Sequence, residues 1–424
     1  MTEFPSRSPL TSHPMRRRRP FHPPPLPEVV VADPDGLADC LDHLDTVSVL
    51  GFDTEFIGED SYRPELCLVQ VATADRLYVI DPFGCGPLDE FWDLLLDPDL
   101  TAVAHAGREE VRMCWFGSGR PPAKLFDVQI AAGLVGMTYP MGYAGLVQEV
   151  LGARTGKGET LTDWRRRPLS KAQIKYAFDD VRYLLPIWER LRGRLEELKR
   201  LEWAEEEFAA FVKRAVADDP AVERWRRLKG SGSLSRRELA VVRAVFAWRE
   251  DFAARLNRPP RVLLRDDLIV EIARRAPTTA EEVAPMRGVP RGESEAIATA
   301  VRSALALPEE EWPHAAEREH DPAHVASLST FLGVLLADLC GRRHLASNLV
   351  ANTADLKALV RARQPGGKPA AESSLASGWR AAAIRPYLEA VLDGRVAVTV
   401  ADPTAPAPLG VRPVRPSNPE NSGS

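Results

Sequence analysis

The stretch Gly51–Ile57, read Gly-Phe-Asp-Thr-Glu-Phe-Ile, constrains this chain more than any other. Val47, Val49 and Leu50 form a short apolar run that predicts a buried strand. Side chains alternate along a strand, so Asp53 and Glu55 leave one face while Phe52, Thr54 and Phe56 leave the other. Two carboxylates on one face at the end of an apolar strand repel each other and lose solvation. A divalent cation between them resolves the conflict, because hard cations such as Mg²⁺ take oxygen ligands. Two ordinary acids at a solvated strand end are the plainer reading of an isolated D-x-E, so the rest of the chain has to decide.

The 424 residues are enough for two or three domains, each with its own core. A hydrophobic content of 45% and a charged content of 27% are those of a soluble globular protein. The net charge of −5 offers no global attraction for nucleic acid, so any basic surface has to be local. Cys40, Cys67, Cys85, Cys114 and Cys340 show no C-x-x-C and no metal-like pairing with histidine, and read as buried thiols in a reducing compartment. No run of about 18 apolar residues marks a membrane span. Arg16–Arg19 are followed by Pro20, His22 and Pro23–Pro25 and by no apolar segment, unlike a secretory signal. These features point to the cytoplasm.

Residues 1–26 are rich in Pro, Ser and Arg and read as a disordered basic tail. Strand patterns follow at Val29–Val31, Val47–Ile57, Leu66–Ala72, Leu77–Ile80 and Ala102–Ala104, with helical patterns at Leu88–Leu96 and Gly107–Phe116. Strands with interleaved helices predict a mixed α/β sheet domain. Gly84–Gly86 and Gly117–Gly119 lack the third glycine and the context of a dinucleotide fingerprint. Gly152–Gly158 resembles a phosphate loop, but it is one residue short, ends in Gly and follows a helical pattern.

Ser170–Leu198 is the second informative segment. Ile174, Ala177, Phe178, Val181, Leu184, Leu185 and Trp188 recur at helical spacing, and Ser170 with Gln173 forms a capping box. Asp179 falls beside Lys175 and Arg182 on a charged face. Asp180 falls over Ala177 and Leu184 at the edge of the apolar stripe, where a carboxylate needs a partner, and Tyr176 shares that side of the helix.

Gly51–Phe56 followed by Leu66-Cys-Leu-Val-Gln-Val resembles the first exonuclease motif of ribonuclease D. Lys157, Thr162-Asp163-Trp164, Arg167-Pro168-Leu169-Ser170 and Tyr176-Ala-Phe-Asp-Asp180-Val resemble its third. The match runs over about residues 28–200 with the motifs in order. The resemblance implies a DEDD 3′→5′ exonuclease on a ribonuclease-H-like sheet, in the branch that carries tyrosine before the last aspartate. His105 then reads as structural. The second motif departs from the family: Glu110 stands where the pattern puts aspartate five residues after the histidine. Helical phase groups Glu110 with Gly107, Val111 and Cys114, and Glu109 with Arg112 and Met113.

Beyond residue 200 the composition turns helical. Leu234-Ser235-Arg236-Arg237, Trp248-Arg249, Asn257-Arg258-Pro259 and Leu263–Asp266 resemble an HRDC (helicase-and-RNase-D C-terminal) domain. Residues 323–402 resemble, more weakly, a second such module, with Ser327–Cys340 the clearest helix and Val396–Val400 a terminal strand. The expected organisation is a tail (1–26), an exonuclease domain (27–215), an HRDC-like domain (216–308), a linker (309–322), a second helical module (323–402) and a tail (403–424). The fold class is α/β, a mixed sheet followed by all-α modules.

By that resemblance Asp53 contacts two divalent ions, Mg²⁺ or Mn²⁺. Glu55 and Asp180 hold the one beside the nucleophile, Glu110 supports the other, and Tyr176 orients the attacking water. A phenol of pKa about 10 is a poor base at neutral pH. Lys157, Arg165, Arg166 and Lys171 line an entering strand or form a solvated face, and Arg258, Arg261 and Arg265 contact phosphates or solvent. The implied activity is removal of 5′-mononucleotides from RNA with a free 3′ end, tRNA precursors among them. A DNA exonuclease and an RNA-binding protein on a decayed exonuclease fold are the alternatives.

Overall fold

A computed structural model describes residues 21, 23–156, 162–217, 224–314, 321–364, 367 and 373–414. A six-stranded sheet organises the first half, in the order β1-β4-β3-β2-β5-β6. The strands are β1 (Glu28–Val31), β2 (Val49–Ile57), β3 (Glu65–Ala72), β4 (Leu77–Ile80), β5 (Thr101–Ala104) and β6 (Leu125–Asp127). β3 runs antiparallel to β2 and β4, and the other pairs are parallel. The expected mixed sheet is present. β6 went unread in the sequence because three residues carry too little periodicity.

Helices of more than four residues are numbered here. α1 (Pro34–Leu44), α2 (Asp89–Leu94) and α3 (Arg108–Ser118) cover one sheet face, packing Leu44, Phe91 and Val111 against Phe52, Val69 and Val71. α4 (Val128–Leu134), α5 (Tyr143–Leu151), α6 (Lys171–Arg182), α7 (Leu184–Glu197) and α8 (Leu201–Ala217) build the other layer, over Leu68, Ala72 and Val79. Gly51 is required here. A Cβ on it would lie 2.9 Å from that of Leu184, so the start of α7 rests directly on the strand.

The segment Ser170–Leu198 is two helices rather than the one its pattern suggests, broken at Tyr183. Pro186 lacks the N–H that a continuous helix would direct to the carbonyl of Arg182. The Tyr183 N–H instead donates to the Tyr143 hydroxyl at 3.2 Å.

α9 (Arg236–Leu256), α10 (Asp266–Arg275) and α11 (Ser294–Leu305) enclose a separate core around Trp225, Val245, Ile269 and Val301. Its rim touches the first domain where Arg63 N–H donates to Asn257 Oδ1 at 3.2 Å. Part of the expected linker belongs to this unit, because Arg236 Nη2 donates to the carbonyls of Glu309 and Trp312.

The last helices are α12 (Ala323–Arg343), α13 (Thr353–Arg361), α14 (Gly378–Ala383) and α15 (Arg385–Leu392). They do not form a free-standing module: Leu332, Leu335, Leu339, Leu349 and Leu388 join the same core as α4, α7 and α8. α12 is long and apolar enough by composition to cross a membrane, contrary to the reading of the sequence. Its Val325, Leu332, Leu335, Leu336 and Leu339 are buried in that core, as in a core helix of a folded domain. Tail expectations also shift. Phe21 N–H donates to the Leu151 carbonyl at 3.0 Å, and Leu409–Pro413 forms β8, which pairs with β7 (Val396–Val400).

The docking is polar as well as apolar. Arg200 donates to the carbonyls of Leu134 and His344 at 2.6 and 2.7 Å. Trp203 stacks on Trp379 at 4.7 Å between ring centres. Glu207, 3% exposed at its side chain, accepts from Trp379 Nε1 at 2.7 Å and is ion-paired with Arg380, whose Nη2 lies 2.9 Å from Oε2. Glu207→Gln leaves the Arg380 cation buried without its counter-charge, at an expected cost of about 3–5 kcal/mol. Urea unfolding of the full chain measures this as a lowered midpoint.

Candidate active site

Three elements bring the acidic residues together. β2 supplies Asp53 and Glu55, the first turn of α3 supplies Glu110, and the last turns of α6 supply Asp180. α6 begins with the expected capping box: Ser170 N–H donates to Gln173 Oε1 at 2.9 Å, and Gln173 N–H to Ser170 Oγ at 3.2 Å. Its start is further set by Arg167, which pairs with Asp81 and donates to the carbonyls of Cys67 and Trp164 at 2.9 and 2.7 Å.

Each carboxyl resists ionisation. Burial raises Asp53 well above the usual range, with Glu110, Asp180 and Glu55 adding repulsion. Burial, then the charges of Asp180 and Glu110, push Glu55 up to about 8. Asp180 is pushed up to about 7 by burial against the hydrogen bond from Tyr176. Glu110, 6% exposed, is raised by burial although it accepts from Thr54 Oγ1 at 2.8 Å and shares a hydrogen bond with Asp53. Such mutual repulsion is what a bound cation relieves.

Among the described residues no three His, Cys, Asp or Glu side chains already converge as a metal cage. Their present hydrogen bonds turn them elsewhere, Asp53 to Glu110, Glu110 to Thr54 and Asp180 to Tyr176. Two observations nonetheless fit a hard cation. All four groups are oxygen donors, and Asp180 Oδ2 is buried with no hydrogen-bond partner.

Tyr176 is hydrogen-bonded to Asp180, as the helical spacing predicts, and burial then Asp180 raise its phenol further. Its ring packs on Trp164 at 5.9 Å. Asp179 lies apart, paired with Lys175 and Arg182 at 2.5 and 3.0 Å. His105 Nε2 donates to the Met141 carbonyl at 2.9 Å, in the expected structural role.

Helical phase separates Glu110 from Glu109, and so does the structure. Glu110 is buried beside Asp53, whereas Glu109 is half-exposed and 3.3 Å from Arg112. Glu110→Gln is expected to lower the hydrolysis rate about 10²–10³-fold, the scale of losing one electrostatic group at a reacting centre. Glu109→Gln leaves the rate near the parent's, and Glu110→Asp changes it by less than about tenfold, or roughly 1.4 kcal/mol of barrier. Rates at saturating metal for the three variants check the assignment.

The basic residues expected to meet a strand are dispersed. Lys157 lies outside the described residues. Arg165 is committed to Asp60 and Glu65 at 2.9 and 2.6 Å, which argues against the phosphate role expected for it. Arg166 is exposed and 3.4 Å from Asp163, and Lys171 is exposed at the start of α6. Arg258, Arg261 and Arg265 are exposed, with Arg261 and Arg265 near Asp266 and Asp267 at 3.0 and 2.9 Å. Three neighbours escaped the sequence reading: Thr54, Gln70 and Asp127. Asp127 is fully buried and accepts from Gly107 N–H at 2.9 Å and from the N–H groups of Gln129 and Ile130, so it holds the turn that launches α3. An aspartate between an apolar triplet and a helical pattern was its available signal.

A mixed sheet that gathers four carboxylates and a tyrosine fits a 3′→5′ exonuclease, and the comparisons with known proteins show that class. Residues 29–196 match the 3′-5′ exonuclease family, and residues 238–301 the HRDC domain. The chain belongs to the ribonuclease D family. It is 37% identical over 365 residues to Ribonuclease D of Acidiphilium cryptum, covering 84% of this chain and 91% of that protein. It is 36% identical over 384 residues to Ribonuclease D of Gluconacetobacter diazotrophicus, covering 88% and 94%. Among solved structures, Escherichia coli RNase D, described as an exoribonuclease involved in structured RNA processing, superposes with a TM-score of 0.74 at 26% identity, covering 87% of this chain and 99% of that one.

Proposed function

We infer that the chain is a 3′→5′ exoribonuclease that hydrolyses RNA from a free 3′ end and releases 5′-mononucleotides. The observation that carries this reading is the meeting of Asp53, Glu55, Glu110 and Asp180, with Tyr176 bonded to Asp180, in a member of the ribonuclease D family. Asp53, Glu55 and Asp180 would hold one Mg²⁺ or Mn²⁺, and Asp53 with Glu110 a second. Bound there, the ions would supply a water of lowered pKa and neutralise charge on the leaving oxygen.

The protein's own groups do the rest. The Tyr176 hydroxyl donates to Asp180 and, its own proton held tightly, orients water rather than removing its proton. Thr54 Oγ1 restrains Glu110, so the longer arm stays inside the site. Gly51 lets the start of α7 close on β2. Arg166 and Lys171, exposed before and at the start of α6, and Arg258, Arg261 and Arg265, exposed on the HRDC domain, would contact phosphates of a longer RNA. The structured RNA processing described for the Escherichia coli relative supports precursors of tRNA and other small structured RNAs as substrates.

End-labelled single-stranded RNA, incubated with Mg²⁺ or Mn²⁺ and with or without chelator beside DNA of the same sequence, tests the reading. Stepwise shortening of RNA from the 3′ end that chelator abolishes is expected. RNA bound yet left intact under all conditions would overturn the enzyme reading, and faster loss of DNA would overturn the substrate.

A further inference from the structure

Gln70 of β3 stands opposite Asp53 of β2 in the antiparallel ladder. Directly opposed residues project from the same face with Cβ atoms about 4.5–5.5 Å apart, within reach of a glutamine amide. Leu68 and Ala72 on its own strand, and Val79 across from it on β4, line the core beneath α6. Gln70 is fully buried, yet neither Nε2 nor Oε1 has a hydrogen-bond partner. Buried amides are almost always paired, and an exception calls for a reason. Methionine or leucine would fill the same space with nothing left unpaired. Asp180 Oδ2, aimed at the same face from α6, is also buried and unpaired, while Asp53 is turned toward Glu110.

We propose that Gln70 is a positioning residue for the carboxylate cluster: its Nε2 donates to the Asp53 carboxylate and holds it facing the cation site. The inference rests on the metal-binding reading of that cluster. A carboxylate that ligates a metal turns one oxygen to the ion and leaves the other for an outer partner. Among the described residues, Gln70 is the in-register amide with nothing else to bond. Removing such an outer partner characteristically weakens metal binding 10–100-fold.

The test is calorimetric titration of Mn²⁺ into the full chain without RNA, for the parent, Gln70→Met, Gln70→Leu and Asp53→Asn. Thermal transitions in chelator are measured alongside. The Gln70 variants are expected to bind Mn²⁺ 10–100-fold more weakly. Their metal-free thermal transition stays in place or rises, because the unpaired amide is gone. In turnover, the Mn²⁺ concentration for half-maximal rate rises, while the rate at saturating Mn²⁺ stays close to the parent's. A folded Gln70 variant that binds Mn²⁺ as tightly as the parent overturns the proposal. So does loss of the thermal transition in both variants, which would make the amide a packing element. A parent that binds no Mn²⁺ would remove the metal reading itself. Parent-like binding in Gln70→Met beside lost binding in Asp53→Asn removes the Gln70 role alone.

Discussion

Asp53→Asn is expected to lower the hydrolysis rate by at least ~10³-fold, beyond the effect of deleting a single electrostatic donor. Asp53 is the carboxylate on which the site's repulsion centres, facing Glu110, Asp180 and Glu55. Asparagine keeps the shape and removes the charge, so the cluster loses its hold on cations and its internal repulsion together. The same variant should therefore melt at a higher temperature than the parent in chelator. The pH dependence gives an independent check. Glu55 is pushed up to about 8 and Asp180 to about 7, so the folded, metal-free protein binds more protons than the unfolded chain. Stability held at acidic pH is then lost as pH rises from about 4 toward about 8. Asp53→Asn should flatten that fall, since it removes one of the carboxyls whose proton affinity burial raises on folding. Melting curves in chelator across that range, beside single-turnover rates, measure both effects. A folded Asp53→Asn protein that still degrades RNA at the parent's rate would sink the site.

Tyr176→Phe is expected to slow hydrolysis ~10²–10⁴-fold, the range for a positioned proton-transfer group. Its effect separates orientation from base catalysis. Burial and the neighbouring carboxylates raise the phenol above its ordinary value, so it keeps its proton throughout the working range of pH. Loss of the hydroxyl should therefore scale the pH–rate profile down without removing a limb of the phenol's own, while Asp180, no longer held down by that hydrogen bond, titrates higher. RNA binding in Ca²⁺ should be little changed, because the ring still packs on Trp164. A Phe variant as fast as the parent would reduce Tyr176 to packing.

The parts of the site legible in the sequence are those set by local periodicity. Asp53 and Glu55 follow from alternation on β2, Tyr176 and Asp180 from one helical turn, and Glu110 from the phase of α3. What escaped depends on pairings between distant segments. Gln70 gains meaning only from the register that sets it against Asp53, and Thr54 faces away from its strand neighbours until Glu110 reaches it. The fold shows the same division. The strands of four or more residues in the six-stranded sheet were readable, whereas β6, with three, and β8, five residues in a Pro-rich segment, were not. The last helices read as a module of their own because their amphipathic pattern says that a face is buried, not what buries it. Glu207, Arg200 and Trp203 look like solvated helix residues until Arg380, His344 and Trp379 arrive from the far end of the chain.

That late arrival sets an order of events during synthesis. The core beneath the catalytic sheet contains side chains from residue 325 to residue 388, whereas the carboxylates are complete by residue 180. At roughly 5–20 residues per second, a ribosome that has finished α8 needs on the order of 10–30 s more to make the segment that closes this core. Through that interval the apolar sides of α4, α7 and α8 have no permanent cover. A polypeptide cut short inside the HRDC region carries all four candidate carboxylates and lacks this packing. Until the last helices arrive, the apolar residues of α4, α7 and α8 that later pack against Leu332, Leu335, Leu339 and Leu388 stay open to solvent.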